Sequence, residues 1–202
     1  MANKDIIPKD RGLYDDELGK SFPKSVSTPD LTKDVEVIKK APNLPDELFV
    51  TSVISAEKGV SKLKMSDGNT YLLTGGTLSW RNNNPGNIKY GNFAQEQGAV
   101  GEGHQNMAVF KSYDSGKKAQ KVLLFGPDSK YTKLTLVDAI ARYAPSSDNN
   151  NNPKEYANYV AKNAKINKTT VLNKLTDTQQ DDMIEVMCKM EGFKPGTIKR
   201  VT

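Results

Sequence analysis

Two carboxylates ten residues apart, Glu57 and Asp67, are the first groups in the chain that suggest chemistry, because an amide-rich loop follows them closely. Phe49, Val53, Ala56 and Val60 recur at helical spacing, which predicts a helix from Pro45 to Glu57, with Pro45 in its first turn and Gly59 as its stop. Glu57 then lies at the helix C-terminus beside the buried face, a setting that suits a general acid; an ordinary exposed helix-end glutamate is the plain alternative. Asp67-Gly68 signals a turn and Thr70 to Thr74 has strand composition, so a small hairpin should carry Asp67. Helix-end Glu and turn Asp across one cleft is the pair glycoside hydrolysis needs, one protonated and one ionised. Asp67 fits a purely structural turn role equally well, and Glu96 and Glu102 are alternative partners.

The loop is Trp80-Arg81-Asn82-Asn83-Asn84-Pro85-Gly86-Asn87-Ile88. Asn and Gly tolerate positive φ and Pro restricts its neighbour, so the stretch is tightly turned. Neutral amides beside a flat aromatic suit a sugar ligand better than a phosphate. Trp80, Arg81, Asn82, Asn83, Asn84 and Asn87 are therefore candidate substrate-binding residues. The plain alternative is a polar turn with Trp80 in the core.

Bulk properties narrow the field. The 202 residues suffice for one domain with an extension, and a mean hydropathy of −0.63 suggests that part of the chain stays outside the core. A net charge of +5 favours a polyanionic partner, nucleic acid or anionic cell wall, but the lysines are scattered and argue against a nucleic-acid groove. A single cysteine, Cys188, and a single histidine, His104, give no disulfide framework and no zinc cluster, so no cofactor or metal is expected. The start of the sequence shows no signal peptide and the chain no membrane span, which implies cytoplasmic synthesis without membrane insertion and delivery by other means.

Residues 1–43 alternate charges with Pro, Ser and Thr and read as a loosely structured or surface-wrapping extension; residues 44–202 read as one domain. Beyond the loop, Met107 to Phe110 forms a short buried segment. Four helices follow: one capped by Asp114 or Ser115 with Ala119, Val122 and Leu123 inward, one with Leu136, Val137, Ile140, Ala141 and Ala144 as its stripe, one opened by Pro153, and one capped by the box Thr176 to Gln179 and ended by Gly192.

The run Gly75-Gly76-Thr77-Leu78-Ser79-Trp80-Arg81-Asn82-Asn83-Asn84-Pro85-Gly86-Asn87-Ile88 resembles the signature of phage-derived peptidoglycan-degrading proteins, lysozyme-like or lytic transglycosylase-like, which also occur among type VI secretion cell-wall effectors. The resemblance continues through 97–101, Ala108 to Tyr113, Asp138 to Pro145 and Glu191 to Gly196, covering residue 44 onward. It implies an α+β, mainly helical, lysozyme-like fold with a small β-wing beside the cleft. It also implies a catalytic acid ending the first core helix, matched by Glu57, an acidic partner matched by Asp67, and a wing threonine, for which Thr70, Thr74 and Thr77 are candidates. The expected activity is a muramidase cutting between N-acetylmuramic acid and N-acetylglucosamine, or a lytic transglycosylase if Asp67 is remote. The alternatives are a non-catalytic wall-binding or virion structural module, or a nucleic-acid binder. Peptidoglycan strands are the implied partner, in the periplasm or on the wall, with a cognate immunity protein or delivery apparatus if the protein is a secreted effector. The basic charge predicts attachment to isolated anionic cell walls that weakens as salt is added, checked by co-sedimentation across a salt series.

Overall fold

The computed structural model describes residues 48–147 and 151–201. The proposed extension, residues 1–43, lies outside them, as do residues 45–47 of the first expected helix. Among the described residues the architecture is mixed α/β: six α-helices, a four-stranded antiparallel sheet in the order β1-β2-β3-β6 and a two-stranded β4-β5 ribbon. In chain order the elements are β1 (Val50–Glu57), β2 (Val60–Met65), β3 (Thr70–Thr74), α1 (Leu78–Arg81), α2 (Asn92–Glu96), β4 (Ala99–Glu102), β5 (Ala108–Phe110), α3 (Tyr113–Phe125), α4 (Leu136–Tyr143), α5 (Pro153–Asn163), α6 (Asp177–Met190) and β6 (Thr197–Val201).

The largest correction concerns residues 50–57, which form strand β1 and not the end of a helix. Val50, Thr51, Val53 and Ile54 are β-branched, and such side chains are crowded in a helix and fit a pleated surface. The sequence hides the strand because its pairing with β2 shifts register between Val50 and Ser52 and again between Val53 and Ser55. Each irregularity breaks the period of two, and the apolar residues that remain fall by coincidence at helical intervals. The Asp67-Gly68 turn and the strand after it form as expected, with Gly68 in the left-handed region at φ +78°. The sheet is larger than the hairpin expected from sequence, because β6 pairs with the full length of β3.

The helices form where the sequence signals place them, although Ala141, expected in the inward stripe of α4, is exposed and Ala139 and Tyr143 are buried instead. Ser112, not Asp114 or Ser115, caps α3, its side chain accepting from Ser115 N; Ala119 and Leu124 face inward, while Val122 and Leu123 are partly covered. Helix α4 stops at Tyr143, just before Pro145, α5 opens on Pro153, and α6 starts with the complete Thr176–Gln179 capping box. Gly192, at φ +73°, follows the end of α6. Leu136, Ile140, Tyr143, Tyr156, Val160, Met183, Ile184, Met187 and Cys188 share one core. A second core under the sheet joins Val50, Leu63, Met65, Leu73, Trp80 and Val109.

The asparagine loop runs on from Trp80 in this second core, and residues 81–88 are all buried. Burial requires that its polar groups find partners inside the protein. Asn84 Nδ2 donates to the carbonyls of Ile88 (2.8 Å) and Ala108 (2.9 Å), while its Oδ1 accepts from Ile88 N (2.9 Å). Asn83 Nδ2 donates to Phe110 O, and Phe110 N donates to Asn82 O. A β-carbon at Gly116 would lie 2.0 Å from Asn83 O, so only glycine lets α3 approach the loop this closely. Asn84→Ala takes the acceptor from Ile88 N and one donor each from Ile88 O, which still accepts from Ala108 N, and Ala108 O; it should cost about 1–3 kcal/mol, the scale of an unsatisfied buried group. A lower urea midpoint at unchanged slope is the expected result.

Candidate functional site

The two carboxylates singled out first do not meet. Glu57 is exposed at the last position of β1, paired with Val60 across the hairpin, where Gly59 takes φ +77°. Asp67 is exposed in the turn at the other end of β2. A six-residue strand between them, at about 3.3 Å per residue, spans roughly 20 Å. Glycosidase carboxyl pairs stand only about 5–9.5 Å apart. Asp67 is instead committed locally: it accepts from Asn69 N (2.9 Å), Asn69 Nδ2 (2.8 Å) and Tyr71 Oη (2.9 Å). The Asn69 bonds, foremost, hold its carboxyl below the usual aspartate value. Glu96 at the end of α2 and Glu102 at the end of β4 are exposed as well.

The loop residues expected to hold a sugar are interior scaffolding. Trp80 is 3% exposed and packs in the core under the sheet. Arg81 is fully buried, its Nη1 donating to the carbonyls of Gly75 and Gly76. Asn82, Asn83 and Asn84 are enclosed. Thr77 caps α1, accepts from Lys194 N (3.0 Å) and contacts Ser79 Oγ (2.9 Å), so it clasps the segment before β6 and does not line a wing. The Asn83 and Asn84 amides, bonded to backbone groups, have little left to offer a ligand, whereas the Asn82 amide is enclosed without a hydrogen-bond partner among the described residues.

Asn87 is the exception. It is buried at φ +45°, and its Nδ2 donates to Glu191 Oε2 at 3.0 Å. Tyr156 Oη donates to the other carboxylate oxygen, Oε1, at 2.8 Å. Glu191 is the residue at which α6 ends, immediately before Gly192. Among the described residues, every other Asp and Glu is exposed, whereas Glu191 is half-buried. Burial, reinforced by the Glu191 charge, raises Tyr156 well above the usual tyrosine value, so its hydroxyl stays a donor throughout the neutral range. Two neutral donors, one from the loop and one from α5, thus fix the carboxyl plane.

The sequence reading missed Glu191, although the signal was available. A glutamate at a helix end followed by a stopping glycine is the argument applied to Glu57 and Gly59, and the genuine helix end is 191–192. Two further groups adjoin the site. Phe193 packs edge-on against Tyr113 with ring centres 4.6 Å apart. Cys188, one turn back on α6, is buried, and that burial pushes its thiol up to about 12. Among the described residues no group of three or more His, Cys, Asp or Glu is placed to hold a metal, and no helix is long and apolar enough to cross a membrane.

No protein-family model matches the chain, and a search of curated proteins finds no match. The site is therefore read from its own geometry. A thiol so raised is almost entirely protonated at mildly alkaline pH, and the thiolate is the reactive form. Cys188 should resist a thiol reagent in the folded protein and react fully once denaturant is added; rapid native-state modification would contradict its burial.

Proposed function

We propose that the chain cleaves the glycan strand of peptidoglycan between N-acetylmuramic acid and N-acetylglucosamine, with Glu191 as the proton donor in place of Glu57. One observation carries the reading: the separate stretches that bear the peptidoglycan-degrading resemblance converge on this carboxylate. Asn87 of the asparagine run touches Glu191 of the closing stretch, and Tyr143, from the stretch 138–145, donates to the carbonyl of Gly86 beside Asn87. A lysozyme-like architecture is part of the proposal, supported by a helical core flanked by an antiparallel sheet. In this version the acid terminates the last helix and not the first.

When it carries a proton, Glu191 gives it to the glycosidic oxygen as the bond to C1 of the muramoyl residue breaks and oxocarbenium-like charge develops there. No second shielded carboxylate exists among the described residues to serve as nucleophile or water-activating base. This favours the lytic transglycosylase route. Glu191, now ionised, takes the proton from the muramoyl C6 hydroxyl while that oxygen bonds to C1. The product is a 1,6-anhydro ring, no water is consumed, and the enzyme recovers its proton. Asn87 and Tyr156 keep the carboxyl in one orientation through both transfers.

Purified peptidoglycan digested by the wild-type protein should yield muropeptides one water lighter than reducing-end products by mass spectrometry. Glu191→Gln should lower their release at least about 100-fold, the scale of a lost general acid. Glu57→Gln and Asp67→Asn should change it less than about twofold, since both residues are exposed surface groups. Full activity in Glu191→Gln removes the assignment. Wall binding without any release by the wild-type protein replaces the enzyme with a wall-binding module.

A further inference from the structure

Behind the Glu191 site the Gly86–Asn87 peptide is gripped by a run of buried side chains that the chemistry above does not use. Gln120 on α3 is fully buried. Its Nε2 donates to Tyr143 Oη at 3.2 Å, and Tyr143 Oη donates to Gly86 O at 2.8 Å. Cys188 Sγ donates to Gln120 Oε1 at 3.3 Å. The polarity of this run is dictated from one end. A backbone carbonyl can only accept, so the Tyr143 proton goes to Gly86, and the tyrosine oxygen faces the amino end of Gln120. The carbonyl end of Gln120 is thereby turned to Cys188, which must supply a protonated thiol. Gly86 also rests directly on the same side chain: a β-carbon there would lie 2.8 Å from Gln120 Cγ and 2.9 Å from Cδ. Gln120 therefore holds this peptide twice, by packing and through Tyr143.

We propose that Gln120 is a positioning residue for Glu191, fixing the Gly86–Asn87 peptide and so placing the Asn87 amide on Glu191 Oε2. Its effect on turnover rests on the reading of Glu191 as the catalytic acid; its effect on the carboxyl itself does not. A glutamine that merely fills the interface between α3 and its neighbours would be replaceable by any side chain of similar volume. A positioning glutamine would not.

Gln120→Met keeps the length without polar atoms, Gln120→Leu removes the amide in a shorter apolar side chain, and Tyr143→Phe removes the link to Gly86. Carboxyl-carbon NMR follows the titration of Glu191 in each full-length variant, beside kcat and KM for muropeptide release and the urea midpoint. Loosening the Asn87 donor removes a bond that favours the ionised carboxyl, so the Glu191 midpoint should move upward in all three. Turnover should fall about tenfold with KM changed less than about twofold, the pattern of a misplaced catalytic group. Variants that lose stability while Glu191 titrates as in the wild type overturn the proposal. Tyr143→Phe decides the question if either Gln120 variant fails to fold. A shifted titration in a protein whose wild type releases no muropeptides sustains the positioning role and removes the enzymatic reading.

Discussion

The structure depends on the enclosure of a polar loop. Residues 81–88 run from Trp80 in the core under the sheet to Ile88, which packs with Ala94, Ala108, Phe110 and Ala119, and Arg81, Asn82 and Asn84 are fully buried. A loop inside a protein is tolerable only when its backbone is answered by internal donors and acceptors, and here the asparagine side chains supply them. Asn84 bridges its own loop and the neighbouring strand β5, and Asn83 reaches the same strand one step further along. Short amides do this well because each offers donors and an acceptor on a stem with few rotamers to freeze. Asn83 and Asn84 thus have a structural cause, the Asn82 amide is enclosed without a hydrogen-bond partner among the described residues, and Asn87 at the far end reaches a carboxylate.

How much was readable in the sequence follows from where the determining forces are local. Helices α4, α5 and α6 announce themselves through caps, an opening proline and apolar stripes, all encoded within a dozen residues. Strand β1 does not, because two register irregularities scramble its alternation and only the partner strand reveals the pairing. Strand β6 was equally hidden: Thr197 to Val201 is mostly exposed and carries no amphipathic signature, and its identity comes from pairing with β3. The loop was recognised as exceptional, but composition could not say whether the amides faced a ligand or the protein's own backbone. The carboxylate at the site was overlooked because the helix-end argument was spent on a glutamate that ends a strand.

The location of Glu191 shows how a half-buried carboxyl group can be held by ordinary parts. Its neighbours are an asparagine held at positive φ by the turned loop, a tyrosine from α5 and the end of α6. Each is placed by a different part of the fold, so the constellation exists only when the loop, α5 and α6 have docked together. Exposed ion pairs such as Lys117–Glu185 and Lys121–Asp181 join α3 to α6, but at their exposure they contribute little to that docking. Packing in the shared helical core joins α5 to α6, and the loop is tied to it through Tyr143, which donates to Gly86 O.

The clasp between Thr77 and Lys194, 117 residues apart, and the pairing of β3 with β6 have a consequence for biosynthesis. While a ribosome is still adding the middle of the chain, β3 has an open edge, and the carboxyl group at residue 191 does not yet exist. The edge of β3 stays open until residues 197–201 have been made, so the four-stranded sheet can close only after the Glu191 carboxyl is already on the chain.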